Sequence, residues 1–226
     1  MAANAVESGG NKMKLDLGCG QNKQLDYTGL DRFLLPGVDV VCDINEGLPF
    51  ASSSATRMMA SHCLEHVEDL ISTMEELYRV CQHKAILCIL APYAHTSLNM
   101  ANPYHKFHFN EHTPRFFTNS NNTLVHAEEY AFPYITQWGL GETENNKLDM
   151  DFRCIRMEFF YFPCYMRLSI SEQRRLRQSQ INVADQIMYH LVAVKEPISP
   201  SELKKLARSE LDVPAFVHLR RAHEGS

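Results

Sequence analysis

The sequence predicts an α/β protein built on a doubly wound, Rossmann-like, seven-stranded sheet with an insert after the fifth strand. Three observations carry that expectation. Strand-length apolar runs recur through the first ninety residues with turn residues between them, as in a parallel sheet covered on both faces. A helix-spaced stretch joins the fourth run to the fifth, which makes a strand, helix, strand crossover. Successive runs also end on acids, which sets carboxylates along the edge where α/β sheets bind ligands.

The elements follow in order. Residues 1–12 read as a flexible N-terminus. Met13–Leu17, Thr28–Leu30, Val38–Cys42, Arg57–Ala60 and Ala85–Leu90 are the first five strands, the third and fifth almost continuously apolar. Val67, Leu70, Ile71, Met74, Leu77, Tyr78 and Cys81 share one face of a helix, with Glu68, Asp69, Glu75 and Glu76 on the others. From 92 to 146 the periodicity fails and His, Asn, Tyr, Phe and Pro dominate; a stretch of that length covers a site or carries extra helices, so a substrate lid is expected. Cys154–Phe162 and Ile187–Val194 supply the last two strands, and SISEQRRLRQSQINVADQ between them reads as helical. Residues 13–196 thus form one domain, and 197–226 a helix capped by Ser199 or Ser201 followed by a loose tail.

Bulk properties narrow the function classes. A chain of 226 residues suits one α/β domain. A net charge of -5 and a pI near 6.1 offer no global attraction to polyanions. The seven cysteines are odd in number and form no C-x-x-C pair, which argues against a disulfide framework and a zinc ribbon. No signal-peptide core is present and no run approaches the ~18 apolar residues of a membrane span, so a cytoplasmic location is expected.

The first strand leads into LDLGCGQNK, an acid followed by a Gly-x-Gly turn. A dinucleotide fingerprint needs a third glycine where Lys23 stands, and a Walker loop needs a G-K-[ST] that is absent. Asn22, a residue tolerant of left-handed backbone angles, is expected in the short turn. Asp31 ends the second strand fifteen residues after Asp16, where a carboxylate accepts hydrogen bonds from both hydroxyls of a ribose. Asp43 ends the third, placed to take an adenine amino group while Ile44 covers the ring. The fourth strand ends at Ser61 and His62.

In that order and spacing, LDLGCG, YTGLDRF, VVCDINEGLPF and HCLEH, with the L-x-x-x-x-RV helix, resemble the class I S-adenosylmethionine-dependent methyltransferases, over roughly Lys14 to Phe117. The resemblance implies S-adenosylmethionine as cofactor and methyl transfer to a small or medium acceptor at oxygen or nitrogen. It assigns Asp16, Gly18, Cys19 and Gly20 to the methionine-binding turn, with Asn22 beside them. Asp31 and Arg32 fall to the ribose, Asp43 and Ile44 to the adenine, and Ser61 with His62 to the strand end facing the methionine portion. Two surface turns, ASSSATR and CQHKA, depart from the family's D-x-S-F-D and K-P-G-G. A cofactor-binding regulator or inactive partner subunit is therefore the second function class.

A histidine near neutral pH can take the proton of an acceptor hydroxyl. His105 is the first candidate base, His62 the next and His108 the third. His105, His108 and His112 match no helical ligand pair with an acid, so no metal is expected. Glu65 and His66 sit where a helix starts, and they read as a residue answering the helix dipole and a structural histidine. The run Phe152–Gln178, with six arginines and an aromatic block, reads first as a partly buried strand and a solvated helix. Its other readings are a homodimer interface through Phe159–Phe162 and, more weakly, a surface for an RNA or protein substrate; nucleic acid is not the expected partner.

Overall fold

A computed structural model describes residues 13–118, 120, 124–131 and 148–224. The N-terminal segment 1–12 and the parts of the 92–146 insert at 119, 121–123 and 132–146 lie outside the described residues. Seven strands form one sheet: β1 (Met13–Leu17), β2 (Thr28–Asp31), β3 (Val40–Val41), β4 (Ala55–Ser61), β5 (Cys81–Pro92), β6 (Phe152–Tyr161) and β7 (Ala184–Ala193). Their spatial order is β3-β2-β1-β4-β5-β7-β6. The first five run parallel, and β7 is antiparallel to both β5 and β6. The order reverses at β1, so a crevice opens between β1 and β4 at their carboxyl ends.

Alternation along the central strands divides the core in two. On one face, Met58 and Ala60 of β4, Leu87, Ile89 and Ala91 of β5, and Ile187, Tyr189 and Leu191 of β7 pack together. They meet Leu70, Met74, Leu77 and Val80 of helix α1 (Leu70–Val80). Phe109 and Phe117 of the insert join the same cluster, both fully buried. The described part of the insert, which includes α2 (Ser97–Ala101), is thus partly core. The opposite face carries the residues in between: Met59, Cys88, Leu90 and Met188 in one cluster, Ile86 and Val192 in another. The chain covers these with its own C-terminus. Leu203 of α4 (Pro200–Arg208) and Leu211 take one cluster; Val213, and Val217 of α5 (Ala215–Glu224), take the other.

That arrangement corrects the expected tail. Residues 215–224 form a helix, and the segment before it is pinned: Asp212 accepts hydrogen bonds from Tyr27 Oη (2.6 Å) and Lys14 Nζ (3.5 Å), while Gln24 Nε2 donates to Val213 O. No helix stands between β1 and β2, so the surface such a helix covers in a doubly wound sheet falls to α5. Two further boundaries move. The helix expected from Val67 begins at Leu70, because the Asp69 side chain accepts the Ser72 N–H as N-cap and Leu64–His66 makes a separate 3-10 turn. The helical stretch before β7 is confined to α3 (Ile170–Arg177), which starts at a Ser169–Glu172 capping box, and Asn182 turns left-handed at φ 59° before the strand. Ser199 forms the equivalent capping box at α4.

Candidate functional site

The turn after β1 is left-handed at Gly18 (φ 61°) and Gly20 (φ 53°). Gly18 has a second constraint: a Cβ there would lie 2.6 Å from Cys63 Sγ, so the turn after β4 packs directly on the glycine backbone. Asn22 does not take the left-handed role expected of it; that conformation falls to the two glycines and, further on, Asp26. Asn22 instead donates its N–H to Cys19 O at 3.1 Å, closing an ordinary tight turn. Asp16 is buried behind the turn and accepts the Gln24 N–H at 2.7 Å. Burial pushes its carboxyl up to about 6 against the pull of that bond and of Lys23.

Asp31, at the end of β2, ties the two turns together by accepting the Gly20 N–H on Oδ2 and the Phe33 N–H on Oδ1, both at 3.0 Å. Each oxygen keeps a lone pair for a further donor. Asp43 caps the 3-10 turn Ile44–Glu46 by accepting the Asn45 N–H at 2.9 Å. A cleft of about 630 Å³ lies over these strand ends, within the ordinary range for small-molecule sites. Gly18, Asp31, Arg32, Asp43, Ile44 and His62 line it. Asp16, Cys19, Gly20, Asn22, Ser61 and His105 are not on its wall; Gly20 is tied to the wall through Asp31, and Asp16 braces the loop behind the turn through Gln24. The residues fit an adenosyl ligand: a glycine no side chain can replace at one end, a carboxylate with free lone pairs in the middle, and an acid beside an isoleucine at the other.

His62 stands at the opposite wall in the left-handed region (φ 52°), an unusual conformation for a residue with a side chain. Its Nδ1 lies 3.4 Å from Glu65 Oε1. Glu65 is 1% exposed, and neither of its carboxylate oxygens receives a hydrogen bond. His66 points its Nε2 at the same oxygen from 3.9 Å. His105 arrives because the backbone of the insert is tied to this turn: the Lys106 and Phe107 N–H groups both donate to Glu65 O. Its ring meets that of His66 edge-on at 4.8 Å. Both His105 nitrogens are engaged, Nδ1–H donating to Asn99 Oδ1 (2.6 Å) and Nε2 accepting from Asn102 Nδ2 (2.8 Å), and burial lowers its pKa. Sequence reasoning treated Glu65 and His66 as structural; the signal it lacked was the burial of Glu65.

Residues 30–89, from β2 into β5, match the family model described as a methyltransferase domain. The matched segment contains the acids of the cleft and the His62–His66 turn. A crystal structure of an S-adenosylmethionine-dependent methyltransferase from Archaeoglobus fulgidus has the same fold, with a TM-score of 0.51 at 18% identity over 81% of this chain and 86% of that one. The chain has the fold of a class I S-adenosylmethionine-dependent methyltransferase. Two further structures are similar at lower scores. The YcgJ protein of Bacillus subtilis gives a TM-score of 0.47 at 12% identity, over 82% of this chain and 93% of that one. Phosphoethanolamine N-methyltransferase 2 of Haemonchus contortus gives 0.45 at 13%, over 84% of this chain and 50% of that one. A search of curated proteins finds no match.

Three of the six arginines of the run Phe152–Gln178 are paired with acids of the same chain. Arg174 pairs with Glu128 and Glu129, Arg153 with Asp151, and the buried Arg177 with Glu111 and Glu129. The aromatic block beside it faces inward: Phe160 is 2% exposed, Phe159 packs against Tyr93 and beneath the Arg177 guanidinium, and Tyr161 lies against the main core. The surface left for a homodimer at Phe159–Phe162 is thus what the half-buried Phe159, Tyr161 and Phe162 still expose. No helix among the described residues is long and apolar enough to cross a membrane.

Proposed function

We propose that this methyltransferase domain methylates an oxygen or nitrogen of a small or medium acceptor that enters the cleft beside His62. The observation that carries the reading is the cleft itself, which collects a glycine, two carboxylates and a histidine from four successive strand ends in a volume suited to a small ligand. S-adenosylmethionine supplies the electrophilic methyl group. Asp31 accepts hydroxyl hydrogen bonds, Asp43 and Ile44 hold the base, and the Gly18 turn admits the amino-acid end. Asp16, Cys19, Gly20 and Asn22 shape that turn from behind. Most of the work left to the protein is orientation of two reactants in line.

Of the three candidate bases His105, His62 and His108, His62 is the one on the cleft wall, with Glu65 behind its Nδ1 to orient the ring. A small acceptor is supported over an RNA or acidic protein by the internal pairing of Arg153, Arg174 and Arg177. The test is incubation of the purified chain with labelled S-adenosylmethionine and a cell extract, followed by mass spectrometry. The expected result is a labelled small molecule whose formation falls about a hundredfold or more in His62→Ala. Cofactor binding without turnover in any extract would favour the regulator or partner subunit instead.

A further inference from the structure

The buried Glu65 carboxylate is not explained by cofactor binding. Taking a carboxylate out of water costs several kcal/mol unless charge or hydrogen bonds compensate, and neither oxygen receives a hydrogen bond. We propose that Glu65, His66 and His105 form a binding site for a divalent first-row transition-metal ion, held by two imidazole nitrogens and one carboxylate oxygen, with its remaining positions open to the cleft.

The second layer of contacts supports it. A metal-binding histidine ordinarily donates one ring N–H to an oxygen, which fixes the tautomer and leaves the other nitrogen's lone pair for the ion. Both histidines are arranged so. His66 donates Nδ1–H to Tyr104 O at 3.0 Å and turns Nε2 toward Glu65. His105 donates Nδ1–H to Oδ1 of the buried Asn99, leaving Nε2 as acceptor. One donor atom from each of the three residues lies within 4.8 Å of the other two. Bonds of about 2.1 Å set neighbouring donors about 3.4 Å apart in a tetrahedral shell, so modest side-chain rotation closes the set. The contact that must yield is the Asn102 amide on His105 Nε2. Donor chemistry selects the ion: imidazole nitrogens suit zinc, cobalt or iron, whereas magnesium and calcium favour oxygen shells.

His66 is also a wall residue of the cleft, so a fourth ligand can come from a molecule bound there. An acceptor hydroxyl taken as that ligand is both positioned and made more acidic. This role rests on the methyl-transfer reading; the site itself does not.

The test uses the full chain, stripped with a chelator and titrated with Co2+ in the absence of S-adenosylmethionine. The expected result is saturation at one equivalent with visible ligand-field absorption, bleached by Zn2+ and not by Mg2+. Glu65→Gln and His105→Ala should weaken Co2+ binding at least tenfold, and Asn102→Ala, which frees Nε2, should bind Co2+ at least as tightly as the unaltered chain. Cofactor affinity measured on each variant shows that it is folded. No saturable Co2+ binding, or equal affinity in Glu65→Gln and His105→Ala, overturns the proposal. Intact Co2+ binding in a chain that methylates nothing would refute the methyl-transfer reading and leave the site standing.

Discussion

At the scale of single residues, Gly18 and Gly20 separate two kinds of constraint. Both are left-handed, but a Cβ at Gly18 runs into Cys63 while one at Gly20 meets nothing within 4 Å. Gly20→Ala should therefore cost about 1–2 kcal/mol from backbone conformation alone. Gly18→Ala should cost more and remove cofactor binding, as thermal melts and calorimetry on the two variants will show. His190 makes a second prediction. Burial in β7 drives its imidazole from the ordinary 6.5 down to about 4, so between those values the unfolded chain holds more protons than the folded one. Its contribution to stability is fully present above pH 6.5 and is lost as pH falls toward 4. Between about pH 7 and pH 4 the loss should be on the order of 3 kcal/mol smaller in His190→Gln, read from urea unfolding; parallel curves would contradict it. Asp31 and Asp43 were legible in the sequence because a carboxylate is costly to bury, so an acid after an apolar run marks where the strand leaves the core; Asp16, buried within β1, is the exception. Asn22 was misjudged because the glycines on either side of Cys19 had already made the turn. Glu65 was misjudged because a glutamate before a helix reads as solvated, and burial is not a local property.

At the scale of elements, α5 is the part of the fold the sequence concealed. It docks through Val217 while Phe216 and Leu219 beside it stay exposed, so its apolar residues do not mark one buried face. Val217 is fully buried against the second core face. Val217→Asp should then lower stability by about 3 kcal/mol or more, through an uncompensated buried charge, measured by urea unfolding; a loss under about 1 kcal/mol would mean the helix is dispensable. The capping box at α4 is a smaller device, and Ser199→Ala should cost about 1 kcal/mol. The strands were read well because β5 and β7 are buried on both faces and leave near-continuous apolar runs. β3 shrank to Val40–Val41 because an edge strand pairs on one side only.

At the scale of the whole molecule, the chain closes one face of its sheet with its own C-terminus and leaves the carboxyl edge open for a ligand. The direct link from the glycine turn after β1 to β2 lets Asp31 bind the backbone of Gly20, so the integrity of the turn and the cofactor contact proposed for Asp31 share one side chain. The measurement that bears most directly on this account is calorimetric titration of S-adenosylmethionine into the purified chain and into Asp31→Ala and Asp43→Ala. One-to-one binding by the unaltered chain, weakened at least tenfold in each variant while both keep a cooperative melt, is the predicted result. Binding that is absent from the unaltered chain, or unchanged by both substitutions, would contradict it.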